Sequence, residues 1–188
     1  MDALMAALVA AALAQIGDRP AWLAAILADR YRAPLLVAAM AMAALLAAGL
    51  IAAFAGILLA PRLTPEARQL FLALALLFQG AGAAFAVKAP DRLERWRLGA
   101  ALTSLIGLFV LAFGDGVQFI VVALAARADM GWLAAVGATI GSLAVIAPAA
   151  LLGEAAWIAL PLRRVRGIVG VVFVLAALWL GLDALRLI

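Results

Sequence analysis

The sequence predicts an all-α integral membrane protein of six transmembrane helices, built as two inverted three-helix repeats, with helices 1 and 4 broken near a Gly-Asp pair. Three observations predict this class. Hydrophobic residues make up 70% of the 188 and charged residues 13%, outside the range of soluble domains. The apolar residues come in blocks of about 20 or more, long enough as helices to cross a hydrocarbon core roughly 30 Å thick, without the alternation of barrel strands. Finally, a polar element in the first block recurs in the fourth.

Charges and prolines delimit the spans at 3–28, 34–60, 68–87, 98–125, 131–157 and 167–187. The linkers are short: "DRYRAP", "APRLTPEAR", "KAPDRLERWR", "ARADMG" and "LPLRRVRG". Thr64, Pro65 and Glu66 have the order of an N-cap, a first-turn proline and an early carboxylate opening the third span. Asp91 and Glu94 are expected to act in the same way before the fourth. The opening "MDALMAALVAAALAQ" has Asp2 as its first charge and no basic residue ahead of the apolar run. It therefore reads as a span rather than a cleaved signal peptide, although "ALA" at 12–14 resembles a cleavage site.

Orientation follows from the basic residues. Linkers one, three and five hold Arg30, Arg32, Lys88, Arg92, Arg95, Arg97, Arg163, Arg164 and Arg166, whereas the other side holds Arg62, Arg68, Arg127 and Arg186. The excess of Lys and Arg in short cytoplasmic loops places linkers one, three and five in the cytoplasm and both termini in the periplasm of a bacterial inner membrane. The net charge of +4 thus reads as topology. No basic patch with interleaved aromatics points to nucleic acid.

The repeat emerges from an ungapped alignment of "QIGDRPAWLAAILADR" (15–30) on "AFGDGVQFIVVALAAR" (112–127), which superposes Gly17 on Gly114, Asp18 on Asp115 and Arg30 on Arg127. The halves are 1–88 and 98–188, joined by a cytoplasmic linker at 89–97. Each half has three spans, an odd number, so the second enters the membrane from the opposite side, as in many secondary transporters.

A charge at the centre of a membrane helix costs about 2.5–3.5 kcal/mol, so Asp18, Arg19 and Asp115 are expected to face the protein interior or a water-filled cavity. Gly17 and Pro20 flank the first pair, and Gly114 and Gly116 bracket Asp115, so both helices can break there. Asp18 is then expected to cap the second half-helix, with Pro20 in its first turn. At helical spacing Gln15 pairs with Asp18, and Asp115 with Gln118, each a carboxylate and an amide offering hard oxygens. Other polar residues within the spans include Gln79, Thr103, Ser104, Thr139, Ser142 and Glu154. Gly137 and Gly141 of "GATIG" share one face in a small-residue packing pattern.

With no cysteine and no histidine, the chain has no disulfide, thiolate or imidazole chemistry. No nucleophile and base constellation is present, so an enzyme is not expected, and neither is a bound cofactor. An exporter of amino acids fits less well, because neither half supplies a paired carboxylate and amine recognition set.

These residues resemble the Gdt-type family of membrane cation/proton antiporters, which includes Golgi calcium/manganese transporters and bacterial manganese exporters. The family hallmark is a twice-repeated Glu-x-Gly-Asp-(Lys/Arg)-(Ser/Thr). Here the first copy reads Gln15, Ile16, Gly17, Asp18, Arg19, Pro20, and the second reads Ala112, Phe113, Gly114, Asp115, Gly116, Val117, followed by Gln118. "ILADRYRAP" and "WLAAVGATIGS" are similar to the family segments after each motif, with Ser142 where histidine is expected. The resemblance implies a secondary transporter of a small cation, Mn²⁺ or Ca²⁺ exchanged for protons. It places the ion on Asp18, Asp115, Gln15 and Gln118, supported by Gly17, Arg19, Gly114 and Ser142.

Both motif glutamates are absent, and the paired motifs retain Asp18, Asp115 and Arg19, a single net negative charge. A bound divalent ion leaves a positive excess there unless Glu154 or another acid lies nearby. The expectation is weak divalent binding, or a shift to a monovalent ion or proton. The alternative is a transport-inactive membrane scaffold or partner subunit. The expected partners are the lipid bilayer and the small cation, with a homodimer left open.

Overall fold

The computed structural model describes residues 2–187. Among them the regular structure is wholly helical, in eight α-helices: α1 (Asp2–Gln15), α2 (Arg19–Tyr31), α3 (Pro34–Leu59), α4 (Pro65–Gly82), α5 (Gly99–Phe113), α6 (Gly116–Ala125), α7 (Trp132–Ala159) and α8 (Leu162–Ala184). Three helical segments are each long and apolar enough to cross a membrane: Pro34–Arg62, which is α3 and the short 3₁₀ turn after it, Trp132–Ala159 and Leu162–Ala184. The α5–α6 pair, bent by 67° at its break, passes the same test when taken as one span.

Small residues set how closely the helices approach. Ala3, Ala7, Ala11 and Ala14 are buried along one stripe of α1, which packs on α7. Gly137 and Gly141 of α7 lie directly under the carbonyls of Leu4 and Leu8, where a Cβ has no room. The small-residue pattern in "GATIG" is thus a helix contact in which backbone meets backbone. Around this core α7 also runs along α2 and α3, α3 meets α5 and α6, and α4 pairs with α8. Large apolar side chains such as Phe54, Phe78, Leu175 and Trp179 point outward and remain exposed, as a surface facing lipid requires.

Several boundaries differ from the sequence reading. The third span, expected to reach 87, ends as a helix at Gly82, and residues 83–87 continue without helical structure although they are apolar. The reason lies on α8, where Arg166 Nη2 donates to Gly82 O (3.1 Å) and Nη1 to Phe85 O (3.0 Å), replacing the bonds another helical turn provides. Linker five is largely helical, because α8 begins at Leu162 rather than 167. Thr64 caps α4 by accepting from Ala67 N at 3.2 Å, but Asp91 and Glu94 do not open the fourth span. Asp91 accepts from Leu93 N at 3.0 Å inside the linker, and α5 starts later, at Gly99.

That central linker is held by one guanidinium. Arg30, at the end of α2, donates to the carbonyls of Arg92 (3.3 Å), Leu93 (2.8 Å), Glu94 (3.3 Å) and Trp96 (3.5 Å). Leu93, at φ 54°, lays its side chain over Gly107 of α5. Helix α7 also carries an interruption that its sequence does not announce. Gly153 has φ 78° and ψ 170°, and Asp29 Oδ2 of α2 accepts from Glu154 N at 2.7 Å, capping the last turns of α7 from another helix.

Gly141→Val is expected to destabilise the protein by about 1–3 kcal/mol, because the new side chain meets α1 backbone; thermal unfolding in detergent measures it. Arg30→Lys, which cannot fan across several carbonyls, is expected to accelerate tryptic cleavage at Arg92, Arg95 and Arg97 severalfold, read by timed digestion.

Candidate functional site

Both Gly-Asp pairs fall at helix breaks. In the first half α1 ends at Gln15 and α2 starts at Arg19. Gly17, at φ 72°, makes the turn that an L side chain resists. Asp18 stands at the N-cap of α2, its Oδ1 accepting from Arg19 N at 2.8 Å, and Pro20 sits in the first turn. In the second half α5 ends at Phe113 and α6 starts at Gly116, with Asp115 at the N-cap position. The Asp115 carboxylate makes no cap bond of this kind. It turns instead to the other half of the chain, where Gln15 Nε2 donates to Asp115 Oδ2 at 2.9 Å.

This bond corrects the pairing expected from helical spacing. Because α1 stops at Gln15 and α2 starts only after Asp18, Gln15 no longer shares a face with Asp18; Asp115 and Gln118 stay together at the start of α6, where Gln118 N donates to Asp115 O at 3.1 Å. Gln15 crosses to Asp115, one hundred residues away in sequence. Gln118 is buried in α6. The Oε1 atoms of Gln15 and Gln118 are both buried without a protein partner, as are the hydroxyl oxygens of Thr103 and Ser104.

Asp18, Arg19, Gly114 and Asp115 line one cavity of about 310 Å³, together with Gly116, Arg166, the segment from Phe85 to Val87 and parts of α5. Gln15 reaches it only through its bond to Asp115. Gln118, Gly17 and Ser142 do not line it: Gly17 borders a second cavity beside Trp22 and Trp157, and Ser142 is buried in α7. Glu154, considered as a third acid for the site, lies elsewhere. Its Oε1 is 2.6 Å from Arg92 Nη2 and accepts from the Trp22 indole at 3.5 Å.

Two residues at the site were not assigned to it by sequence. Arg166 belongs to a basic cluster that reads as cytoplasmic linker, and only the early start of α8 carries it to the cavity. Gln79 of α4 sets its Oε1 against Gly116, in the space a side chain there would take. Its signal was present, since Gln79 is the lone polar side chain deep in the third span, but nothing in the sequence joined it to α6.

Among the described residues no three acidic, His or Cys side chains converge as a metal-binding group. The cavity thus offers two carboxylates, and a cation wanting about six oxygens must complete its shell with amide or backbone oxygens and water.

The sequence profile of the divalent cation/proton antiporter GDT1 family matches residues 3–91 and 100–187, nearly the whole chain. The chain belongs to this family. A relative from Vibrio cholerae serotype O1 (strain ATCC 39541 / Classical Ogawa 395 / O395), named "Putative manganese exporter", is 31% identical over 184 residues, covering 95% of this chain and 90% of the relative. No solved structure matches. Membership of the GDT1 family, with the apolar helices, makes this a multi-pass membrane protein of a transporter family.

Gln15→Leu is expected to cost about 1–3 kcal/mol of stability, since it leaves the Asp115 carboxylate without its neutral donor. The fall in melting temperature against the unaltered protein checks this.

Proposed function

We propose that this chain is a secondary transporter that exchanges a divalent cation for protons, with Asp18 and Asp115 taking up ion and proton in turn. The observation that carries this reading is the meeting of the two Gly-Asp carboxylates, each at a helix break and one from each half of the chain, on the wall of a single cavity. A carboxylate that can hold either a proton or a cation, but not both, makes the two fluxes compete for one site. Family membership supports the class of substrate, and the relative named a manganese exporter makes Mn²⁺ the first ion to test.

In this reading the chain is a six-span bundle of two inverted halves, α1–α4 and α5–α8, with each broken pair counted as one span. Contacts support the symmetry: the broken pair of each half packs on the long second helix of the other, α1 and α2 on α7 and, reciprocally, α5 and α6 on α3. Rocking one half against the other around the cavity then exposes it to each side of the membrane in turn. The basic residues of linkers one, three and five orient those linkers to the cytoplasm.

Replacement of the motif glutamates by Gln15 and Ala112 lowers the affinity for a divalent ion, because an amide supplies an oxygen without its charge and a methyl group supplies neither. Proteoliposomes loaded with manganese and a pH indicator test both points. Exchange is expected in the unaltered protein and is lost in Asp18→Asn and in Asp115→Asn, while Gln15→Glu lowers the KM for Mn²⁺ on the order of tenfold, about 1.4 kcal/mol. An unchanged KM in Gln15→Glu sinks the charge argument. No flux in any form, with Asp18→Asn unfolding in detergent, points instead to a membrane scaffold held together by these groups.

A further inference from the structure

We infer that Arg166 is the specificity-determining counter-charge of the cation site, a fixed guanidinium on the cavity wall that sets how tightly a divalent ion binds; this rests on the transport reading above. Three observations lead there. Arg166 lines the same cavity as Asp18, Asp115 and Arg19, so two carboxylates face two guanidinium groups and the formal charge around the cavity is zero. The side chain is not free to swing away, because its two terminal nitrogens donate to Gly82 O (3.1 Å) and Phe85 O (3.0 Å). Finally, Arg166 lies in neither Gly-Asp motif, so it adds a positive charge that the motifs do not contain.

The position of the guanidinium strengthens the case. Beyond it lies the second cavity, of about 280 Å³, bounded by Trp22, Trp157, Leu162 and Arg163. The two cavities share Phe85, Ala86, Val87 and Arg166. Arg166 and the non-helical segment that it holds therefore form the partition between them. An ion passing from one cavity to the other crosses this partition, and an ion resting on Asp18 and Asp115 feels its charge through a medium of lower dielectric than water. Arginine suits the role because it stays protonated at any physiological pH and its planar fork can bond two carbonyls at once.

Affinity should therefore follow the charge at position 166, while stability follows the carbonyl bonds. In manganese/proton exchange by proteoliposomes, Arg166→Gln is expected to lower the KM for Mn²⁺ about tenfold or more, and to increase the Mn²⁺-dependent rise in melting temperature. Arg166→Lys keeps the charge with fewer bonds, so its KM stays near that of the unaltered protein while its melting temperature falls. Arg163→Gln makes the same charge change on a residue that does not line the ion cavity and leaves KM unchanged. Should Arg166→Gln fail to fold, Ala86→Glu keeps the tether and places an opposing charge on the shared wall; it must lower KM in the same way.

An unchanged KM in Arg166→Gln or in Ala86→Glu, or a KM in Arg166→Lys that moves as far as in Arg166→Gln, overturns the role of Arg166 alone, provided the unaltered protein exchanges manganese. Absence of both exchange and Mn²⁺-dependent stabilisation in the unaltered protein overturns the transport reading and this inference together.

Discussion

Backbone groups released by a break in an apolar helix need new partners, from the protein itself or from the water of a cavity. This constraint shapes the molecule. At the first break Asp18 caps α2 through its own side chain. At the second, the Asp115 carboxylate is spared from capping and is held by Gln15 of the opposite half. The same side-chain bond satisfies a half-buried carboxylate and ties together the two places where the helices stop.

Several arginines serve backbone carbonyls in the irregular segments, alongside those that pair with carboxylates. Arg166 takes the carbonyls beyond the end of α4, Arg30 those of the central linker, and Arg68 those of Ala60 and Leu63. A guanidinium has five donors in a rigid fork, so a single residue can finish a whole irregular segment. Acidic groups are placed sparingly by comparison. Glu154 is held by Arg92, and Asp29 serves the interrupted backbone of α7. Neither is left to strengthen the cavity, whose charge is confined to Asp18, Asp115 and the two arginines beside them.

Tight packing is what allows the cavity to exist in so small a chain. Alanine on α1 and glycine on α7 bring those helices close enough for a Cβ to collide with backbone. The cavity that both carboxylates line opens where the helices are broken. That opening is walled by α5, α8 and the segment after α4.

The sequence by itself determined the class of protein, the places where two helices break and the carboxylates found there. Those features follow from local chemistry: apolar length against bilayer thickness, and the cost of Gly, Pro and charge within a helix. It also showed which motif acids are missing, as Gln15 and Ala112 are read directly. Only the tertiary structure decided the partners. Spacing along an unbroken helix paired Gln15 with Asp18, but the break removed that face and distance in space joined Gln15 to Asp115. Likewise the basic run at 163–166 reads from sequence as a linker, whereas the structure begins α8 at Leu162 and sets Arg166 on the cavity wall. Such side chains are positioned by where other helices end, and a reading that moves along one helix at a time has no access to that.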